Sequence, residues 1–140
     1  SATEFNGDVS NWNTSKVTKM DYMFKQAQAF NQNIGNWDVS SVGDFEGMFW
    51  DASAFNQSLF KWDVSSATKM DSMFRQATAF NQNIRGWLVP SGATLTDMFL
   101  SSVYDPPISI PLKSKLKTVL LDSLYKDGRN LAIIFCVDSE

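Results

Sequence analysis

The chain has 140 residues, 44% of them hydrophobic, with a net charge of -3 and a single cysteine, which describes one folded domain without an internal disulfide framework. The charges are scattered rather than gathered into a basic stripe, so nucleic acid is excluded as an expected partner. No apolar run reaches the roughly 18 residues that span a bilayer, and no signal segment opens the chain, although Ser1 already lies inside a repeat and leaves room for a leader or further repeats upstream.

From the first residues onward the chain repeats itself. Phe5, Phe30, Phe55 and Phe80 recur every 25 residues without insertion or deletion. In the same register come Asn6, Asn31, Asn56 and Asn81, then Val9, Ile34, Leu59 and Ile84, then Trp12, Trp37, Trp62 and Trp87. Val17, Val42 and Ala67 follow, then the pairs Met23 and Phe24, Met48 and Phe49, Met73 and Phe74, Met98 and Phe99. A fixed period in this range marks stacked units that cannot bury their apolar faces alone, so that at least about three are needed for stability.

Within one unit, "NIGNWDVSS" is rich in β-branched and aromatic residues and short, which predicts a brief strand ending in a Ser-rich turn. The apolar positions 17, 20, 23, 24 and 27 then have the spacing of one helical face. Thr18 and Asp21, like Thr68 and Asp71, stand at the spacing of a capping box. The expected architecture is an α/β repeat solenoid over residues 1–104: four strand-turn-helix units of 25 residues with a parallel strand ladder. Strands are spaced about 4.8 Å apart and packed helices about 8 to 10 Å, so such a stack is expected to bend into a horseshoe. The polar but unvarying asparagines are expected to form an amide ladder that satisfies backbone groups.

The segments "FNQNIGNWDVSS" and "TKMDxMFxQAxAFNQ" resemble the 25- to 26-residue repeat of mycoplasma-type surface lipoproteins, a family grouped with BspA-like leucine-rich-repeat proteins. The resemblance covers about residues 5 to 104. It implies a leucine-rich-repeat-like stack in a non-enzymatic, extracellular or cell-surface protein used for adhesion or interaction. The pattern lapses at Leu88, Pro90 and Asp105, where the family motif has Asp, Ser and Phe.

After residue 105 the periodicity changes. Leu112, Leu116, Val119, Leu120 and Leu124 share one helical face between Pro111 and Gly128, and "NLAIIFCV" reads as a buried strand carrying an inert Cys136. Residues 105–140 are expected to form a helix-strand cap over an array end that would otherwise expose its last apolar layer.

The chain contains no histidine, which removes His-based triads, imidazole acid-base chemistry and His metal sites. Asp38 and Asp63 share one position in adjacent units, a pair that could suggest a carboxylate dyad or calcium. An Asp two residues before a Ser more often accepts the backbone N–H ahead of it, and Asn13 stands at the same place without charge. A continuous Ser column of the kind that could match ice ends at Pro90. No cofactor is expected. The recurrent tryptophans and methionines are expected in the core. The contact residues are then expected among positions that break the repeat: Trp50, where equivalents are Lys25 and Arg75; Phe60, where they are Ser10, Gly35 and Arg85; and Tyr22. Replacing Trp50 by Lys or Phe60 by Gly is expected to change stability by less than about 1 kcal/mol. The primary reading is a scaffold for a protein or cell-surface polymer. The alternative is a carbohydrate or calcium module built on Asn11, Asn13, Asn36, Asp38, Lys61 and Asp63.

Overall fold

A computed structural model describes residues 2–103; the expected cap over 105–140, with its helix, strand and Cys136, lies outside the described residues. Four 25-residue coils begin at Phe5, Phe30, Phe55 and Phe80, and they stack in register. The expected strand-turn-helix unit is corrected throughout. Among the described residues there is no helix, and the parallel pairing consists of three isolated bridges: Lys19 with Asp44, Asp44 with Lys69, and Lys69 with Thr94.

In place of the helix runs a series of tight turns. Met23 N–H donates to Met20 O (3.4 Å), Lys25 to Tyr22 (3.1 Å), Ala27 to Phe24 (3.1 Å) and Phe30 to Ala27 (3.0 Å). Such turns return an apolar side chain to the interior every third or fourth residue, the spacing that also signals a helical face. The alternate N–H groups leave the coil: Met20, Tyr22, Phe24 and Gln26 donate to the carbonyls of Asp44, Glu46, Met48 and Trp50 at 2.7–2.9 Å. An α-helix would keep all of these donors to itself. Tyr22 and Gln26 adopt φ of 53° and 60°, and their equivalents Gly47 and Asp51, Ser72 and Gln76, Asp97 and Ser101 do likewise. A left-handed residue at the third position of a turn is the type II geometry and forbids a continuous right-handed helix.

The expected strand fails for a different reason. Asn33 Oδ1 accepts the Gly35 N–H (3.0 Å) and Asp38 Oδ1 accepts that of Ser40 (3.1 Å), while Trp37 and Val42 donate back to Ile34 and Val39. Short polar side chains thus fold the segment into turns before it can extend. Thr68 and Asp71 do not cap a helix either. Thr68 Oγ1 donates to Gly43 O (2.9 Å), and Asp71 accepts the N–H of Thr96 (2.7 Å) and the hydroxyl of Thr94.

With no helix to widen one side, the horseshoe curvature has no cause. The column Phe24, Phe49, Phe74 and Phe99 advances by 5.4–5.8 Å per coil, no more than the 6.0 Å between Trp12 and Trp37 or the 6.3 Å between Trp62 and Trp87. A second phenylalanine column, from Phe5 through Phe80, lies beside the first, with Phe24 and Phe30 only 3.8 Å apart. Trp37, Trp62 and Trp87 are buried, and each indole N–H donates to a carbonyl of the preceding coil: Val9, Ile34 and Leu59, at 3.0–3.1 Å. This satisfies the one polar atom of a large buried ring. The asparagine ladder forms as expected. Asn6, Asn31 and Asn56 each accept, on the side-chain oxygen, the backbone N–H of the next asparagine at 3.0 Å, and Gln32, Gln57 and Gln82 clamp the same oxygens.

Candidate functional site

Because successive coils lie in register, each surface position forms a column, and recognition can only be placed where a column changes character. Three such places hold the residues singled out from the sequence.

The first is the column Lys25, Trp50 and Arg75. Lys25 Nζ lies 4.0 Å from the Trp50 ring centroid and the Arg75 guanidinium 4.9 Å from it, while the indole N–H donates to Gln76 Oε1 at 3.0 Å. Arg75 also approaches Asp97 at 3.8 Å. Trp50 is therefore half-buried between two cations rather than standing free. It attracts both and separates them. The Lys25 ammonium also lies 5.0 Å from the ring of exposed Tyr22, whose hydroxyl donates to Glu46. That bond to a carboxylate is the main reason the phenol pKa is pushed up to about 12. The structure thus revises the expected tolerance of Trp50→Lys. The variant places three cations in adjacent coils and loses both ring contacts, so it should cost about 1 to 2 kcal/mol. Thermal unfolding at low and high salt checks this, since screening should return part of the loss.

The second place is the row Asn13, Asp38 and Asp63. Each accepts the backbone N–H two residues ahead, Ser15, Ser40 and Ser65, at 3.0–3.2 Å. Ser15 and Ser40 add their hydroxyls at 2.8 and 2.6 Å. Hydrogen bonds from Ser40 and Ser65 hold both carboxyls below their ordinary pKa, outweighing the opposing influence of Asp63 on Asp38. A depressed folded-state pKa stabilises above the ordinary carboxylate value, and that stability is lost as pH falls through the folded pKa. Asp38→Asn should keep the turn, as Asn13 does, and should lessen the loss of stability on acidification below pH 4. An acid titration of unfolding in both proteins tests it. Among the described residues no group of three or more Asp, Glu or Cys side chains is placed to hold a metal ion.

The third place is a recess of about 210 Å³ between the second and third coils, lined by Asn33, Gly35, Asn36, Ser58, Phe60 and Lys61. Phe60 is 56% exposed. Its ring edge lies 3.8 Å from where a Cβ would stand on Gly86 in the following coil, whereas a Cβ on Gly35, its equivalent one coil earlier, would lie 2.6 Å from the Ser58 carbonyl oxygen. The missing side chain lets the third-coil backbone approach Gly35 this closely. Lys61 Nζ reaches Asn36 Oδ1 at 3.4 Å. Phe60 from the contact set thus meets Asn36 and Lys61 from the polar set. Asn11 lies one coil earlier in the Asn36 and Lys61 column and does not line the recess. Sequence reasoning missed Asn33, Gly35 and Ser58, although the 25-residue period places Asn33 and Ser58 in one column and Gly35 one coil before Phe60 in another. It also missed the role of Lys25 and Arg75, which the same 25-residue arithmetic places on either side of Trp50.

No helix among the described residues is long and apolar enough to cross a membrane. Residues 1–106 match a family described as "Mycoplasma protein of unknown function, DUF285". No curated protein and no solved structure matches the chain.

Proposed function

The chain belongs to the DUF285 family over residues 1–106, and from that footing we propose that it is a non-catalytic interaction scaffold displayed outside the cell, in the manner of BspA-like surface proteins. The partner is a protein or a cell-surface polymer, and the main contact point is Phe60. The observation that carries the reading is the recess that this ring lines, where an exposed aromatic, two amides and an ammonium meet at the one place where its column turns apolar. An aromatic anchor beside a small polar-lined hollow is the composition of an interface centre. Against catalysis stand the absence of histidine from the sequence and the engagement of Asp38 and Asp63 in backbone turns.

The same recess favours a carbohydrate as the second reading, because a ring face suits the C–H side of a sugar and amides suit its hydroxyls. Calcium has no comparable support. The test is binding to panels of matrix proteins and immobilised glycans. Phe60→Gly should reduce binding by about 30-fold or more, which corresponds to about 2 kcal/mol. Its thermal stability should change by less than about 1 kcal/mol, since the ring is mostly in solvent. Asp38→Asn should leave binding unchanged. Binding that survives Phe60→Gly and disappears in Asp38→Asn would transfer the site to the carboxylate row and end this proposal.

A further inference from the structure

One rung of the asparagine ladder differs from the rest in the residue that follows it. Asn31, Asn56 and Asn81 each precede a glutamine, whereas Asn6 precedes Gly7, and no other asparagine of the chain stands before a glycine. Gln32, Gln57 and Gln82 donate through Nε2 to both the backbone and the side-chain oxygen of the asparagine one coil earlier, at 2.9–3.1 Å. These tethers hold the peptide that follows each later asparagine. Gly7 has no side chain to tether, and it can adopt backbone angles that a Cβ forbids. Its N–H donates to nothing among the described residues and is exposed. Asn6 is exposed too, and so are Asn31, Asn56 and Asn81, so this access belongs to the column and not to the first coil. The Asn6 amide is also polarised. Its Oδ1 accepts the Asn31 N–H and the Gln32 Nε2, both at 3.0 Å, and two such donors draw electrons from Cγ and stabilise negative charge on the oxygen.

We propose that the Asn6–Gly7 step is a site of spontaneous deamidation, with water as the only co-reactant. The Gly7 nitrogen attacks Cγ of Asn6 and gives its proton to solvent. The bond from Cγ to Nδ2 breaks, and that nitrogen takes up a proton and leaves as ammonia. One water then adds to the five-membered imide and opens it at either carbonyl, to aspartate or to isoaspartate. The aspartate keeps an oxygen in place for Asn31 and Gln32 and adds a negative charge to the ladder. The isoaspartate instead routes the main chain through the former side-chain carbonyl, which lengthens it by one carbon and takes the first rung out of register with Asn31. The other three rungs are spared, because a tethered glutamine cannot bring its backbone nitrogen onto the amide as freely as a glycine can.

The test is to hold the folded, purified chain at mildly alkaline pH, where the attacking N–H is more readily deprotonated, and to follow ammonia release and peptide masses over time. Enzymatic methylation of isoaspartate separates the two products. Asn6 should convert at least about tenfold faster than Asn31, Asn56 or Asn81. Gly7→Gln, which installs the residue of the other coils, should slow the conversion by a similar factor. Gly7→Ala is the second variant: it adds only a methyl, 3.1 Å from the edge of the exposed Phe5 ring, and should also slow it. The proposal is overturned if Asn6 keeps its amide in the folded chain, if Asn31 or Asn56 converts as fast as Asn6, or if the Gly7 variants convert at the original rate.

Discussion

Trp37→Ala is expected to destabilise the protein by about 3 to 5 kcal/mol, the range for removing a large buried aromatic, whereas Trp12→Ala should cost less than about 1 kcal/mol. The two residues occupy one column and differ only in what covers them. Trp37 is 4% exposed and its ring lies 6.0 Å from those of Trp12 and Phe24. Its removal leaves a cavity across the first and second coils and takes one of two donors from the Val9 carbonyl, which keeps the backbone N–H of Trp12, so most of the cost is lost packing. Trp12 leaves behind mostly solvent. Because each coil is held by its neighbours, the Trp37 change should also loosen the first coil before the rest of the stack unfolds. Denaturant unfolding with amide exchange measures both, and equal costs at the two positions would refute the layered core.

Gly47→Ala should cost about 2 to 3 kcal/mol, through a clash that no other coil contains. Gly47 has φ of 56°, but so nearly do Tyr22, Ser72 and Asp97 in the same column, and their backbones carry a Cβ. The particular obstacle is Tyr22, whose ring atoms would lie 2.5 Å from the new methyl. The ring cannot swing away freely, since its hydroxyl is bonded to Glu46 and Lys25 covers its face. The double variant Tyr22→Ser with Gly47→Ala reproduces the Ser72 environment and should regain at least about 1 kcal/mol, a coupling of the size contacting residues show. Additive losses in thermal unfolding would mean that the ring and the methyl do not meet.

The period of 25 was fully legible in the sequence, and with it the number of coils, the membership of each column and the buried identity of Phe30, Trp37, Met48 and Phe55. Burial repeats when residues repeat, whatever the backbone does between them. The amide ladder of Asn6, Asn31, Asn56 and Asn81 and the turns at Asn13, Asp38 and Asp63 were legible for the same reason, because side chains that cap local or neighbouring backbone need only fixed spacing. The secondary structure was not. An apolar spacing of three and four residues serves a helix and a chain of tight turns equally, and nothing local at Tyr22, Gln26 or Ser72 announces a left-handed backbone in residues that usually avoid it.

What decides between the two is the neighbouring coil. The carbonyls of Glu46 and Trp50 reward Tyr22 and Gln26 for turning their N–H groups outward, a contribution that exists only once the coils are stacked. The candidate site divides along the same line. The sequence alone determined that Trp50 and Phe60 depart from their columns. Only the tertiary structure determined that Trp50 is held between Lys25 and Arg75 while Phe60 lines a recess with Asn36 and Lys61, because a column order becomes a contact only when consecutive coils are brought within hydrogen-bonding distance.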